Sequence, residues 1–480
     1  MHPEKALLRQ IQARAREWPL APAWRAEDGT VLHRQALSAH IAGLARALAA
    51  HAGPGGRLAL LVETRSHLVL HLLAALQAGL RVLPIHPQPP DWGATLLSRA
   101  GIGLAVTEGD FPLPASVRRI APFPPAGAGD AEADPVERAE LWLATSGTLG
   151  GPRIARHSPE TLLASVEATR KSLALSDRDR WLCCLPVDHA GGLMVALRAL
   201  VTGAHVRFLP GFDAAQVLET LEWDAVTHVS LVPAQLHRLL EARSGPAPSS
   251  LRCVLVGGGP LSAPLAQTAR ERGWPLYLTW GMTETASHLT LCPVDAEWQP
   301  GQVGHPVPGV RIRVLGPDPD GTGRIAVCGP QVMRGYLGAS ELPACRQGRR
   351  LVTGDLGRWT TKGGLEWLGR ADAVLNTGGH LVDPETLEVT FQTCPGIREA
   401  AITGIEDPVW GERIVLLHAG TASSDAIDAW CRDHLPAWQR PRLLLPVESL
   451  PRTRSGKLDR AALRRLARQA ANNTNERRLR

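Results

Sequence analysis

Four stretches run one after another near the start of the chain: ALSAHIAGLARALAAH (Ala36–His51), GGRLALLVE (Gly55–Glu63), HLVLHLLAALQAGL (His67–Leu80) and RVLPIHP (Arg81–Pro87). The first and third carry apolar residues at helical spacing, and the second and fourth are short apolar runs of the kind that form buried strands. Strands alternating with helices read as βαβ units. That pattern predicts an α/β fold built on parallel, doubly wound sheets.

Working outward, a Pro/Gly/Ala-rich connector spans Pro112 to Asp134, and a second α/β stretch occupies about residues 136–300. The texture then changes to short strands broken by Gly and Pro, as in GHPVPGVRIRVLGPDPDGTGRIAVCGP, which predicts a small β subdomain through about residue 370. Strand and helix signals alternate again from Asp372. The expected division is therefore a large N-terminal domain over 1–370, a small α+β domain over 371–468 and a polar, disordered tail over 469–480.

Composition narrows the function. At 480 residues the chain exceeds what one hydrophobic core usually supports, and 20% charged with 44% hydrophobic residues is ordinary for a globular protein. The net charge of +6 is small, and the arginines form no basic block beside stacking aromatics, so nucleic acid is excluded as a partner. The N-terminus carries charges where a signal peptide needs an apolar core, and the most apolar run, Leu68 to Leu80, is too short to span a bilayer; a cytoplasmic protein is expected. The eight cysteines contain no CxxC pair, which points to reduced, mostly buried thiols. Only four of the 52 cations are lysines, namely Lys5, Lys171, Lys362 and Lys457. A lysine inside a motif that needs one is therefore informative.

In LWLATSGTLGGPR (Leu141–Arg153) a short strand enters a loop with Gly147, Gly150 and Gly151, hydroxyls at Thr145, Ser146 and Thr148, and a cation at Arg153. Such a loop is either a surface turn or a cradle for polyphosphate, whose oxygens take backbone amides, hydroxyls and a cation. In YLTWGMTETAS, Trp280 can stack on a base, Gly281 and Met282 lead on, Thr283 can bond a phosphate or cap a helix, and Glu284 can hold magnesium. VLVGGGP offers Gly257 and Gly258 as bare backbone for a flat ring, or a tight turn. VTGDLG places Asp355 where a carboxylate can take the two hydroxyls of a ribose. Arg370 and Asp372 open the second domain, and Lys457 sits in a Gly-containing turn before a helical segment.

Taken in order, TSGTLGGPR, LPVDHAGG, GGGP, WGMTE, TGDLG, GRAD and PRTRSGK resemble the adenylate-forming superfamily of acyl- and aryl-CoA synthetases, peptide-synthetase adenylation domains and beetle luciferases. The resemblance runs from about Val31 to Arg465. It implies an ATP-dependent acid–thiol ligase that forms an acyl-adenylate, releases pyrophosphate, and then passes the acyl group to a thiol, with ATP, Mg2+ and CoA as cofactor and cosubstrates. The residues Thr145 to Gly151, with Arg153, would cover the β- and γ-phosphates, and Glu284 would bind the metal. Gly257, Gly258, Trp280, Gly281, Met282 and Thr283 would hold adenine and phosphate, with Asp355 and Arg370 at the ribose. Lys457 would be the catalytic lysine, Asp372 the hinge of a mobile C-terminal domain, Gly379 part of the pantetheine tunnel, and His189 the wall between acyl pocket and tunnel.

The chain departs from the family pattern at Leu149, where a threonine is usual, at Arg153 for lysine, at Trp280 for tyrosine and at Ala373 for an acidic residue. Its length and the stretches VTHVSLVPAQLHRLL, SLRCVLVGGGP and TWGMTETAS look most like the o-succinylbenzoate CoA ligases of menaquinone synthesis, although Gly379-His380 stands where that subfamily tends to have Gly-Glu. Gln235, His237 and Arg238 fall on the expected acyl-pocket side, with Arg238 available to a second carboxylate. Other readings stay open at this stage: a carrier-protein pantetheine as acceptor, or a nucleotide-binding protein without turnover. The sequence leaves the oligomeric state open.

Overall fold

The computed structural model describes residues 6–86, 90–122, 139–145, 153–371, 375–377, 380–407, 411–453 and 456–478. The opening stretches form the expected elements: helix Arg34–Ala52, strand Arg57–Leu61, helix Arg65–Gln77 and strand Arg81–Pro84. Arg57–Leu61 pairs in parallel with Arg81–Pro84 on one side and with Leu104–Thr107 on the other. The side chains of this strand alternate, because a strand points successive residues to opposite faces. Leu58 and Leu60 pack into the largest core with both helices, whereas Ala59 and Leu61 face a second core under helix Pro90–Ala100.

A second sheet is parallel at its centre, through Arg180–Cys183, His205–Phe208, His228–Leu231, Cys253–Val256 and Leu276–Leu278. The largest core joins this sheet to the first: Trp181, Cys183, Val206 and Phe208 meet Leu58, Leu60, Val106 and Leu143 through the helices between them. Helix Ala190–Thr202 is buried along its whole length there. Each fully buried leucine of such a layer contributes about 1.5–3 kcal/mol.

The β-rich stretch after residue 300 continues this second sheet as an antiparallel end. Gln302–Pro306 joins Thr290–Pro293 on one side and Leu365–Arg370 on the other, and Gly348–Trp359 and then Gly323–Gly329 follow outward. Its apolar residues, among them Val303, Ile325 and Leu365, share a core with Val229 and Val254 of the parallel strands.

One expectation is overturned here. Cys328 and Cys345 form a disulfide, while the other six cysteines are free as expected. The hairpin Ala344–Cys345 folds back onto Gly348–Arg349, whose neighbouring strand ends at Cys328–Gly329, so the two thiols meet although 17 residues separate them. Burial pushes the Cys183, Cys184 and Cys253 thiols up to about 12, which leaves them protonated.

Residues from 375 on build separate cores. Ile397–Asp407 and Gly411–Gly420 form a long antiparallel pair, with Leu443–Pro446 parallel beside it. Ile414 and Leu416 face helices Pro384–Phe391 and Ser424–His434, and Val415 and Leu417 face helix Arg460–Arg478. That last helix corrects the expected disordered tail. Leu463, Ala467 and Ala471, four residues apart on one face, dock on the sheet, and the backbone stays helical to Arg478. None of the described helices is long and apolar enough to cross a membrane.

Candidate active site

The carboxyl ends of the parallel strands carry the motifs, where open α/β sheets bind ligands. Strand Cys253–Val256 ends in the glycine turn. Gly257 N–H donates to the Leu231 carbonyl at 3.1 Å, and a methyl group added to Gly257 would lie 2.6 Å from Thr279 Oγ1. Gly258 has φ +80°, and a methyl group there would lie 2.8 Å from Lys457 Cε and 3.5 Å from its Nζ. The lysine from the far end of the chain therefore lies directly across this turn.

Lys457 is delivered by a closed loop. Arg452 bridges to Leu458, Thr453 N–H donates to the Lys457 carbonyl at 2.7 Å, and Gly456, at φ +81°, passes close to Val232. The Lys457 side chain is exposed to solvent, yet protein atoms crowd the ammonium. This partial desolvation lowers its pKa, opposed by the carboxylates of Glu385 and Glu284.

Glu284 sits in the short turn Thr283–Thr285. The Thr285 hydroxyl accepts from Met282 N–H at 3.2 Å and donates to the Ser287 carbonyl at 2.9 Å, and Gly281–Met282 pairs with Ser287–His288. Only glycine fits at 281, because an added methyl group would lie 2.2 Å from the Ser287 oxygen. The Tyr336 hydroxyl donates to Glu284 Oε1 at 2.7 Å, and Met333 N–H donates to the Glu284 carbonyl at 2.8 Å. Burial and the adjacent Glu284 raise the Tyr336 pKa, so its phenol stays protonated. His157 is wholly buried, bonded through Nε2 to the Thr283 carbonyl at 2.8 Å, and burial lowers its pKa to about 4.

Among the described residues no three of His, Cys, Asp and Glu cluster as a metal cage. A single carboxylate in a cleft is what magnesium needs when phosphates supply further oxygens, so Glu284 fits that ion.

Thr145 and Arg153, the two ends of the expected phosphate loop, are directly opposed in an antiparallel strand pair. The Arg153 guanidinium lies 5.2 Å from the centre of the Tyr336 ring. Asp355 and Arg370 are likewise opposed in register, with Nη1 3.7 Å from Oδ1, and Asp355 is buried. Trp280 is enclosed in the second sheet's core, with its backbone N–H donating to Thr290 Oγ1 at 3.2 Å. His189 begins helix Ala190–Thr202, half-exposed, 3.8 Å from Asp188. Gln235 is buried and accepts from Val232 N–H, Arg238 covers the Phe212 ring at 5.2 Å, and His237 pairs with Glu241. Ser146, Gly147, Thr148, Leu149, Gly150, Gly151, Asp372, Ala373 and Gly379 lie outside the described residues.

Sequence reasoning missed a buried layer behind Glu284. Ala286 and Ser287 take left-handed backbone, φ +50° and +94°, a conformation that costs a side-chain residue about 1–2 kcal/mol. Ser165 Oγ donates to the Ala286 carbonyl at 2.7 Å, and Arg198 Nη2 donates to Ser287 Oγ at 3.0 Å and contacts His288 Nδ1 at 3.2 Å. Arg198 is fully buried, and among the described residues its Nε has no partner. One signal was available, since Arg198 is the only charge in the run AGGLMVALRALVT. Tyr336 and His157 were missed because each gains its meaning from a strand pairing that no local pattern encodes.

Glycine turns at the ends of parallel strands, a carboxylate fit for magnesium and a lysine brought across from a second domain define an enzyme that works on a nucleotide. The chain belongs to the AMP-binding enzyme family: residues 11–337 match the AMP-binding enzyme model and residues 386–457 its C-terminal domain. It is an ATP-dependent, AMP-forming acid–CoA ligase, acting through an acyl-adenylate with ATP, magnesium and CoA. It is 34% identical over 343 residues, 69% of this chain and 71% of the relative, to the 2-succinylbenzoate–CoA ligase of Bacillus mycoides. To that of Geobacillus kaustophilus it is 33% identical, over 73% and 74% of the two chains. The o-succinylbenzoate CoA synthetase of Bacillus subtilis bound to its acyl-adenylate superposes with TM-score 0.83 at 27% identity, covering 95% of this chain and 97% of that one. Its complex with ATP and magnesium superposes with TM-score 0.85 at 27% identity, over 94% and 98%.

Proposed function

We propose that the acid is 2-succinylbenzoate, which places the enzyme in menaquinone biosynthesis, and that Lys457 is the residue that drives its adenylation. The names of the relatives support the substrate. A dicarboxylic acid brings a second anion that the exposed Arg238, beside the Phe212 ring, can meet. ATP and CoA as cosubstrates fit a cytoplasmic location.

The observation that carries the mechanism is Lys457 across Gly258. A carboxylate attacking the α-phosphate brings two anions together, and a compact ammonium between them lowers the barrier where charge builds up. Glu284 holds magnesium, which neutralises phosphate charge as pyrophosphate departs. The segment Thr145–Gly151 and Arg153 bind the β- and γ-phosphates, Gly257, Gly258 and Trp280 enclose adenine, Gly281, Met282 and Thr283 line the α-phosphate side, and Asp355 with Arg370 holds the ribose. For thioester formation the domain after Asp372 turns, Lys457 leaves the cleft, Gly379 lines the pantetheine path and His189 walls the acyl pocket.

The test separates the half-reactions. Lys457→Ala abolishes acid-dependent pyrophosphate release and leaves thioester formation from supplied acyl-adenylate intact; equal loss of both steps refutes the role. A pyrophosphate-release screen over dicarboxylic, aromatic and fatty acids tests the substrate, and a preference for a monocarboxylic acid overturns it.

A further inference from the structure

Strand Arg153–His157 is tied to the Glu284 turn at both its ends, once directly and once through Tyr336. At one end His157 holds the Thr283 carbonyl. At the other, Arg153 covers the ring of Tyr336, whose hydroxyl holds the Glu284 carboxylate. Tyr336 is itself fixed to this strand: Gly335–Tyr336 pairs with Arg156 and Ala155, Arg334 N–H donates to the Arg156 carbonyl at 2.8 Å, and Leu337 N–H donates to that of Ile154 at 2.8 Å. Its segment closes at the base through Cys328–Cys345 and also supplies Met333 N–H to the Glu284 backbone. Both the backbone and the side chain of Glu284 are thus gripped by one strap bound to strand Arg153–His157.

We propose that Tyr336 is the positioning residue for the metal-binding carboxylate, and that with Arg153 it ties that carboxylate to strand Arg153–His157. This rests on the reading of Glu284 as the magnesium ligand. A phenol donating to one carboxylate oxygen fixes the side-chain rotamer and leaves the other oxygen to the ion. Loss of such an outer partner typically weakens metal affinity by about 10–100-fold. Arginine at 153 suits the arrangement better than lysine, because its planar guanidinium stacks on an aromatic face.

The probe is Mn2+ with α,β-methylene-ATP, followed by electron paramagnetic resonance, alongside binding of the metal-free analogue. Tyr336→Phe keeps the ring beneath Arg153 and removes the hydroxyl. The expected result is a loss of about 10–100-fold in affinity for the Mn2+ complex. Affinity for the metal-free analogue and thioester formation from supplied acyl-adenylate stay within about threefold, which shows that the variant is folded. Equal weakening of both nucleotide forms, or no weakening of either, overturns the proposal. Glu284→Gln run in parallel separates the two layers. If it too leaves Mn2+ affinity unchanged, the metal assignment fails and the proposal falls with it; if it abolishes Mn2+ affinity while Tyr336→Phe does not change it, only the proposal falls.

Discussion

Gly258→Ala isolates what Lys457 does. The substitution has two separable effects. Alanine at φ +80° meets the left-handed penalty of about 1–2 kcal/mol, a stability loss readable by denaturant unfolding. The new methyl carbon would stand 2.8 Å from Lys457 Cε, while carbon atoms rest about 3.5–4.0 Å apart, so the lysine is displaced by about 1 Å. A displacement of that size at a reacting centre reduces the rate by about 100-fold. Any harm to the adenine site falls on both half-reactions, because the acyl-adenylate carries the same ring. The difference between the two therefore belongs to the lysine. Acid-dependent ATP–pyrophosphate exchange should drop by about 100-fold beyond any loss in thioester formation from supplied acyl-adenylate. Gly259→Ala is the control, since its added methyl would meet Pro233 at an ordinary 3.9 Å and should leave both steps unchanged. Equal loss in both half-reactions of Gly258→Ala, or none, would refute the placement of Lys457.

Three further outcomes follow from the same contacts. Partial desolvation lowers the Lys457 pKa, and the proposed role in adenylation requires the charged ammonium, so kcat/KM for pyrophosphate release should decline with rising pH from below the usual lysine range. Thioester formation should lack that limb; a shared limb contradicts the assignment. His157 is neutral in the fold with a pKa near 4, whereas an unfolded histidine titrates near 6.5, so its contribution of about 3 kcal/mol is present above pH 6.5 and lost as pH falls toward 4. Other buried histidines share this trend, so the measurement is the difference in urea stability between wild type and His157→Asn at pH 7 and pH 4.5, which should narrow at the lower pH. Reducing Cys328–Cys345 frees a 17-residue loop and should lower stability by about 3 kcal/mol in the chain-entropy treatment. Unfolding with and without a dithiol, using Cys328→Ser as the reductant-insensitive control, checks it.

How much of this was legible in the sequence depends on the range of the interaction. RLALL announced a strand buried on both faces because its neighbours in the sheet are apolar too, and its alternation divides it between two cores. The glycines of VLVGGGP and WGMTE signalled close approach, and the structure supplies what approaches: Lys457 at Gly258 and the Ser287 carbonyl at Gly281. What the sequence concealed depends on pairing between distant segments. Cys328 and Cys345 carry no motif, and only the return of a hairpin brings them together. Tyr336 looks like any strand tyrosine until the edge of the first sheet places it against Glu284, a residue of the second sheet's motif. The helix to Arg478 was hidden for the opposite reason, because a polar composition outweighed three apolar residues whose docking face exists only once the sheet is built. Chemistry written as consecutive residues was readable. The parts that hold Glu284 and its turn in place, Tyr336, His157 and Arg198, come from three separate elements, and each has its role only after the sheets and the helix between them have assembled.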